Sequence, residues 1–231
     1  MVFLGIIYGD ESLGFYSVGD SIRYMQMSAN EGNAEAQWRL ALLYANNEES
    51  EQAFEWFTKS AIQQDLNGRY YYARCLFYGF GCYQDINGVL NLLKQCANDG
   101  NSSAQHLLGK IYEDGTNVEQ DMIQAAKWYE MAADQGNIDA MFQYAFIYIN
   151  GTGGVKENNN KAFQYFQQAA DAGHAGAEYC LGVIYENGYC GVELNMEEAC
   201  QRYRIAAKYG DILGIISYGR FLEEGLGGCD V

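Results

Sequence analysis

The stretch SSAQHLLGKIYEDGTNVEQDMIQAAKWYEMAADQG, residues 102–136, contains two amphipathic segments separated by a turn. In the first, over residues 102–114, apolar side chains recur at the spacing of one helix face, at Ala104, Leu107, Leu108, Ile111 and Tyr112. In the second, over residues 121–134, the apolar stripe consists of Ala125, Trp128, Tyr129 and Ala132. The stretch therefore predicts two consecutive helices, which we call helix A and helix B.

Both segments recur along the whole chain. The alanine before the sequence DQG has counterparts at intervals of 32, 36, 36, 37 and 37 residues, at Ala29, Ala61, Ala97, Ala133, Ala170 and Ala207. The tyrosine of the helix A phrase LGKIYEDG has aromatic or aliphatic counterparts at intervals of 36, 32, 36, 36, 37 and 37 residues. The positions are Tyr8, Tyr44, Leu76, Tyr112, Tyr148, Tyr185 and Leu222. The intervals of the two phrases change in parallel along the chain, including the one short interval of 32 residues. The chain is therefore predicted to be a tandem repeat of helix pairs, each burying its apolar face on its neighbours.

Glycine and aspartate mark the predicted helix ends. Gly115 and Gly136 follow helices A and B, where glycine is favoured because its backbone readily adopts a positive φ. Asp85 and Asp121 precede helices B, where a carboxylate can accept the free backbone N–H groups.

A second set of glycines lies inside helices A, at Gly109, Gly182 and Gly219. Glycine in a helix interior costs about 1 kcal/mol relative to alanine. Its recurrence at one position predicts that a neighbouring helix approaches closely there.

The pattern A-x-x-x-L-G-x-x-Y-x-x-G-x-x-V, followed by A-x-x-[WY]-[YF]-x-x-A-A-x-x-G, resembles the Sel1-like repeat family, relatives of the tetratricopeptide repeat with variable length. Residues 104–136 and 177–210 carry it almost completely. The resemblance covers essentially the whole chain and implies an all-α fold, a right-handed α/α superhelix (solenoid) of stacked antiparallel helix pairs. It also implies a non-enzymatic adaptor that gathers other proteins into complexes.

We expect a single repeat domain over residues 1–231, because no linker or composition break is visible. It would comprise about six units, bounded as residues 1–32, 33–65, 66–100, 101–136, 137–173, 174–210 and 211–231, with a truncated unit at each end. The unit from Ala34 to Asp65 has a short inter-helix loop, and Gln64 replaces its closing glycine. On this pattern, we expect the chain to open inside a helix A, at Tyr8, and to close after another helix A without a helix B.

The likeness to tetratricopeptide repeats implies a concave, partner-binding groove along one face of the A helices. In residues 102–114 that face contains Ser103, His106, Lys110 and Glu113, one stripe of a helix. Aromatic residues and Arg, which protein interfaces enrich, recur in the columns of His106 and Lys110. The candidate groove residues are Trp38, Leu42, Tyr70, Arg74, His106, Lys110, Phe142, Phe146, Tyr179 and Arg220. In the alternative interpretation, the aromatic residues of the His106 column pack between adjacent A helices.

Composition disfavours several partner classes. The chain has 14 Lys+Arg and 30 Asp+Glu, a formal net charge of −16, which repels nucleic acid and anionic membranes and favours protein partners with basic segments. No apolar run approaches the roughly 18–20 residues of a membrane helix. Residues 1–8 lack the basic start of a signal peptide. We expect a cytoplasmic protein without nucleic-acid or membrane partners.

No metal, cofactor or catalytic site is predicted. His106 and His174 lie about two repeats apart, and no C-x-x-C motif is present. Four cysteines lie at helix positions that are apolar in other units, and we expect them to be small buried side chains: Cys75, Cys96, Cys180 and Cys200. Three lie in loops: Cys82, Cys190 and Cys229. Their odd number and irregular spacing do not form a disulfide framework. No nucleophile, phosphate-loop or metalloprotease motif occurs, so we expect no enzyme.

Two functions follow from these patterns. In the first, the chain is a scaffold that binds a segment of another protein in the groove. In the second, it is a regulatory or structural segment of a longer repeat protein, for example one fused to a signalling domain. That segment would associate with itself or with missing repeats through open ends at residues 1–8 and 212–222.

Overall fold

A computed structural model describes residues 18–229 of the chain. All regular structure in this range is helical, in twelve α-helices of 13 residues each and one short 3-10 helix, Leu226–Gly228. The sequence predictions for Tyr8 and for residues 1–8 lie outside this range.

The α-helices alternate between the two predicted kinds. The B helices are α1 (Val18–Asn30), α3 (Ser50–Ile62), α5 (Ile86–Asn98), α7 (Met122–Asp134), α9 (Asn159–Asp171) and α11 (Met196–Lys208). The A helices are α2 (Ala34–Asn46), α4 (Leu66–Tyr78), α6 (Ser102–Asp114), α8 (Ile138–Asn150), α10 (Ala175–Asn187) and α12 (Ile212–Glu224). The prediction of helix A over residues 102–114 is confirmed, and helix B follows at Met122, directly after its capping aspartate.

The connections between helices explain why the repeat interval varies. Every link from a B helix to the next A helix has three residues, whereas the links from A to B have 3, 7, 7, 8 and 8 residues along the chain. The intervals of 32, 36 and 37 residues therefore differ only through the A-to-B loops. Because all helices have one length, a position counted from 1 to 13 is equivalent in every helix of the same kind.

The predicted caps are present. Asp85 Oδ1 accepts a hydrogen bond from the Gly88 N–H at 3.1 Å, and Asp121 Oδ1 accepts one from the Gln124 N–H at 3.0 Å. Gly115 has a φ of 67°, in the left-handed region that favours glycine. Gln64 adopts the same conformation, with a φ of 63°, although it is not glycine. The three-residue link of fixed length thus imposes the left-handed conformation on glutamine, a residue that disfavours it.

The chain divides into two compact units, residues 1–101 and residues 102–231. The division falls within one residue of the predicted boundary between residues 66–100 and 101–136. In the first unit, a core cluster contains Ala41, Ala53, Phe57 and Cys75. In the second unit, clusters form around Tyr129, Phe166 and Tyr203, the residues at position 8 of three successive B helices. The single domain expected from the sequence stays a prediction.

The glycines inside the A helices are at position 8. A Cβ built on Gly109 would lie 2.6 Å from the ring of Tyr129, and one on Gly182 would lie 2.5 Å from the ring of Tyr203. The predicted close approach is confirmed at these two positions, where the neighbour is an aromatic ring. The prediction is wrong for Gly219, which has no neighbour within 4 Å. The close neighbour comes from the following B helix, and residues 18–229 contain none after α12.

The same two tyrosines reach back to the A helix. Tyr129 donates a hydrogen bond from its hydroxyl to Glu113 Oε2 at 2.6 Å, and Tyr203 donates one to Glu186 Oε2 at 2.6 Å. Burial, followed by the hydrogen bond to the carboxylate, raises the pKa of both tyrosines, so both hydroxyls stay protonated. We call the helix pairs α6–α7 and α10–α11 the Gly-Tyr-Glu repeats.

Two other helix pairs have apolar side chains at these positions. Position 8 of the A helix is alanine and position 8 of the B helix is phenylalanine, as Ala41 with Phe57 and Ala145 with Phe166. Position 12 of the A helix, which is glutamate in the Gly-Tyr-Glu repeats, is Ala45 in α2 and Ile149 in α8. We call α2–α3 and α8–α9 the Ala-Phe repeats.

Candidate protein-binding pockets

The first unit contains a pocket between the adjacent A helices α2 and α4, which we call the N-terminal pocket. It has a volume of about 500 Å³. Its lining is mainly apolar and consists of Leu42, Ala45, Asn46, Phe57, Tyr71, Arg74, Cys75, Tyr78 and Phe80. Phe57 is 2% exposed and supports the pocket from the B helix.

The second unit contains a similar pocket between the A helices α8 and α10, the C-terminal pocket. It has a volume of about 430 Å³. It is lined by Phe146, Ile149, Asn159, Phe166, Tyr179, Cys180, Val183, Ile184, Tyr189 and Cys190. Phe166 is 1% exposed and takes the part that Phe57 has in the first unit.

The two pockets lie at the same register of the repeat. Their equivalent lining pairs are Leu42 and Phe146, Ala45 and Ile149, Phe57 and Phe166, Tyr71 and Cys180, Arg74 and Val183, Cys75 and Ile184, and Phe80 and Tyr189. Both pockets lie over an Ala-Phe repeat. In the Gly-Tyr-Glu repeats, a carboxylate and a tyrosine hydroxyl stand at the equivalent positions. The residues at position 8 of both helices and at position 12 of the A helix therefore determine whether this part of a repeat is apolar or polar.

Part of the column of Lys110, predicted from the sequence, lines these pockets. Leu42 and Arg74 lie together in the N-terminal pocket, and Phe146 lies in the C-terminal pocket. Tyr179, from the column of His106, also lines the C-terminal pocket. Phe146 is half-buried and so presents part of its ring.

The other aromatic residues of the His106 column pack against neighbouring rings. Trp38 stacks on Tyr71 with 5.8 Å between ring centroids, and Phe142 stacks on His174 at 4.2 Å. Tyr70 is buried. The ring of His106 lies 5.8 Å from that of Tyr129. These contacts favour the alternative interpretation, in which this column packs between helices.

The two remaining candidate residues lie outside the pocket linings. Lys110 is exposed. Arg220 donates a hydrogen bond from Nη2 to Glu186 Oε1 at 2.6 Å, and its guanidinium lies 5.0 Å from the centre of the Phe221 ring. Arg220 therefore contributes an internal ion pair on the A-helix face.

Sequence reasoning missed two kinds of lining residue. Phe57 and Phe166 come from B helices, whereas the predicted face consists of A helices alone. Phe80 and Tyr189 lie in the loops. Each follows the glycine that ends an A helix, so an aromatic residue directly after the C-cap glycine is the signal that could have revealed them.

The two histidines, which the sequence separates by about two repeats, both lie near Asp139. His174 Nε2 is 3.6 Å from Asp139 Oδ1. Burial lowers the pKa of both imidazoles below the usual value, and the charge of Asp139 opposes this lowering at each of them. Within residues 18–229, no three His, Cys, Asp or Glu side chains are arranged to hold a metal ion.

Mild acid is expected to destabilise the fold through these histidines, and His174→Asn should reduce this effect. The pKa of His174 is lowered in the folded chain, so the unfolded chain binds more protons as the pH falls below about 6.5. The contribution of His174 to the free energy of unfolding is therefore complete above about pH 6.5. It is lost as the pH falls towards the lower pKa that His174 has in the folded chain. His174 Nδ1 also accepts the Ala177 N–H at 3.0 Å as the N-cap of α10. Asparagine retains this role, since Asn33 and Asn137 cap α2 and α8.

The measurement is urea unfolding at several pH values between 5.5 and 7.5. The variant should lose less stability than the wild-type chain over this range. An unchanged pH dependence would show that His174 does not contribute.

The cysteines are unsuited to nucleophilic chemistry. Burial raises the pKa of the Cys75 and Cys180 thiols to about 12, so both stay protonated at neutral pH. Cys75 and Cys96 are buried, as predicted, whereas Cys180 is only half-buried. Cys200 is also buried, but the expectation that it acts only as a small apolar side chain is wrong, since it forms a disulfide with Cys229. The 3-10 helix folds the loop back onto α11 and brings the two residues together.

The comparison with known proteins is consistent with these repeats. A sequence profile of the Sel1 repeat matches residues 34–65, 67–88, 102–137, 138–174 and 175–211. The human protein sel-1 homolog 2 is 26% identical over 106 residues, which is 46% of this chain and 15% of that protein. The chain spans between 15% and 24% of the length of the curated relatives it matches.

Two solved structures show the fold. A Sel1 repeat protein from Oxalobacter formigenes is 25% identical, with a TM-score of 0.77 over 88% of this chain and 91% of that chain. A protective antigen of uropathogenic Escherichia coli with an SLR fold is 29% identical, with a TM-score of 0.72 over 90% of this chain and 45% of that chain. None of the helices in residues 18–229 has the length and apolar content needed to span a membrane. The fold is the all-α solenoid class of stacked helix pairs, and the chain belongs to the Sel1 repeat family.

Proposed function

We propose that the chain is a non-enzymatic scaffold that binds segments of other proteins, and that the pockets between adjacent A helices receive apolar side chains of the partner. The observation that carries the proposal is the recurrence of one apolar pocket at the same register in both units. Volumes of about 430 and 500 Å³ fall within the range of ligand-binding cavities. Each pocket has a well-packed phenylalanine below and aromatic side chains at its mouth, the setting of an interface anchor site.

The charge of the chain supports a partner with basic segments. With a net charge of −16, the chain attracts such segments and accelerates their association. The pockets themselves select apolar side chains, because burial of apolar surface contributes the larger part of binding at an interface core. The adaptor role and the cytoplasmic location expected from the sequence remain part of the proposal.

Blocking the C-terminal pocket is expected to remove partner binding. Val183→Glu places a carboxylate in the lining, and Tyr189→Ser removes an aromatic side chain from the mouth. Either change should lower the recovery of a partner about tenfold or more, as for the loss of one anchor residue. The measurement is quantitative mass spectrometry after affinity capture from a lysate of the source organism, with circular dichroism to verify folding.

Tyr209→Ser is the matched control for this experiment. Tyr209 is 56% exposed and Tyr189 is 57% exposed, but Tyr209 does not line the pocket. A partner retained by wild type and Tyr209→Ser but lost by both pocket variants supports the proposal. Equal recovery by all four proteins contradicts a role of the C-terminal pocket in binding.

A second candidate function is self-association through α12. Four apolar side chains of this helix are at least half exposed: Ile212, Leu213, Ile215 and Ile216. Such a row on one helix marks an interaction surface more often than a solvated face. Light scattering across a concentration series separates the two candidates, since pocket binding does not require a dimer.

A further inference from the structure

The two Gly-Tyr-Glu repeats have the same geometry around a half-buried glutamate. Glu113 in α6 and Glu186 in α10 are both at position 12, and each accepts a tyrosine hydroxyl at 2.6 Å. The two carboxylates are therefore held in place by equivalent bonds, and each has a second oxygen left for another donor. These equivalent sites allow one repeat to be compared directly with the other.

The two sites differ in whether a cationic side chain pairs with the glutamate. In the later repeat, Glu186 Oε1 accepts a hydrogen bond from Arg220 at 2.6 Å, and Arg220 is at position 9 of the next A helix, α12. For Glu113, position 9 of the next A helix, α8, is Phe146. No ion pair involves Glu113 within residues 18–229. The chain thus has the carboxylate of this arrangement at Glu113 without its guanidinium.

Phe146 connects this place to the C-terminal pocket. Its side chain is part of the pocket lining, and Phe146 is at the helix position equivalent to that of Arg220.

Building on the proposed function, we infer that the bound protein segment carries an arginine or lysine for Glu113 and an apolar side chain for the C-terminal pocket. The cation takes the place that Arg220 has beside Glu186. The half-buried position of Glu113 and its hydrogen bond to Tyr129 hold the carboxylate in one orientation, which reduces the ordering cost of the ion pair. The net charge of −16 favours this cation over an anionic side chain.

The probe for this inference is a phage-displayed library of random 12-residue peptides, selected on the full chain. Enriched peptides are synthesised with a fluorophore, and their affinities are measured by anisotropy. We expect the enriched sequences to contain both an Arg or Lys and a large apolar residue. Glu113→Gln should weaken their binding about fivefold, since a partly exposed ion pair contributes at most this much. Glutamine still accepts the Tyr129 hydroxyl, so the fold is retained.

Two controls make the result specific. Glu197→Gln changes the net charge equally, at an exposed position in α11, and should leave the affinity unchanged. A peptide whose basic residue is replaced by alanine should lose about fivefold on the wild-type chain and nothing further on Glu113→Gln.

The outcomes separate the two proposals. Peptides that lose binding to Val183→Glu but bind Glu113→Gln as tightly as wild type overturn this inference and leave the proposed function standing. Peptides that are insensitive to Val183→Glu contradict binding in the C-terminal pocket, and a selection without enrichment contradicts the proposed function. Either outcome overturns this inference.

Discussion

Replacing Gly182 by leucine is expected to lower the free energy of unfolding by about 3 kcal/mol, the upper end of the usual cost of overpacking. Even a Cβ at this position would lie 2.5 Å from the ring of Tyr203, and this ring cannot move away freely. Its hydroxyl is bonded to Glu186 at 2.6 Å, and its side chain is 1% exposed. The larger leucine must displace the ring and break this hydrogen bond. Urea unfolding followed by circular dichroism measures the change.

Gly219→Leu is the matched control, because Gly219 is at the same position of α12 and has no neighbour within 4 Å. Leucine there removes the helix penalty of glycine without a clash, so stability should stay constant or rise by about 0.5–1 kcal/mol. Equal destabilisation by the two substitutions would show that the helix, rather than contact with a tyrosine, requires glycine at this position.

Replacing Phe166 by alanine is expected to cost about 3–5 kcal/mol, as for other large-to-small changes in a core. Phe166 is 1% exposed and packs edge-on against Phe142 and Phe146, with ring centroids 5.8 and 5.1 Å apart. Its removal leaves a cavity beneath the C-terminal pocket that these rings fill only in part. Chemical unfolding at constant pH measures the loss.

Phe163→Ala is the comparison within the same helix. Phe163 is half-buried, so its truncation should cost less than half as much as that of Phe166. Equal losses for the two variants would contradict the assignment of Phe166 as the support of the pocket.

Much of the fold was predictable because the repeat supplies the same signals several times. The two recurring phrases located all six A helices and six B helices of residues 18–229, and the aspartates at positions 85 and 121 marked the starts of two helices. The disulfide between Cys200 and Cys229 was not predictable, because the 3-10 helix that joins them has no counterpart in the other repeats.

The candidate site was predictable in part. The column of Lys110 indicated lining residues on the A helices. All A helices have the same length, so residues at equivalent positions lie on the same face. Whether a pocket forms there depends on position 8 of the B helix and position 12 of the A helix, and the two positions must be considered together. Glu113 with Tyr129, and Ile149 with Phe166, illustrate this dependence. The error at Gly219 has the same origin, because its effect depends on a second helix.

The fixed three-residue link from each B helix to the next A helix, beside A-to-B loops of 3 to 8 residues, limits where the gene can gain or lose codons. An insertion in an A-to-B loop lengthens a hairpin and leaves the position numbering of both helices intact. An insertion in a B-to-A link would rotate the following helix and take its side chains out of the pocket lining. Drift in length is therefore confined to one class of connection, and the same loops are the natural places to graft a reporter peptide.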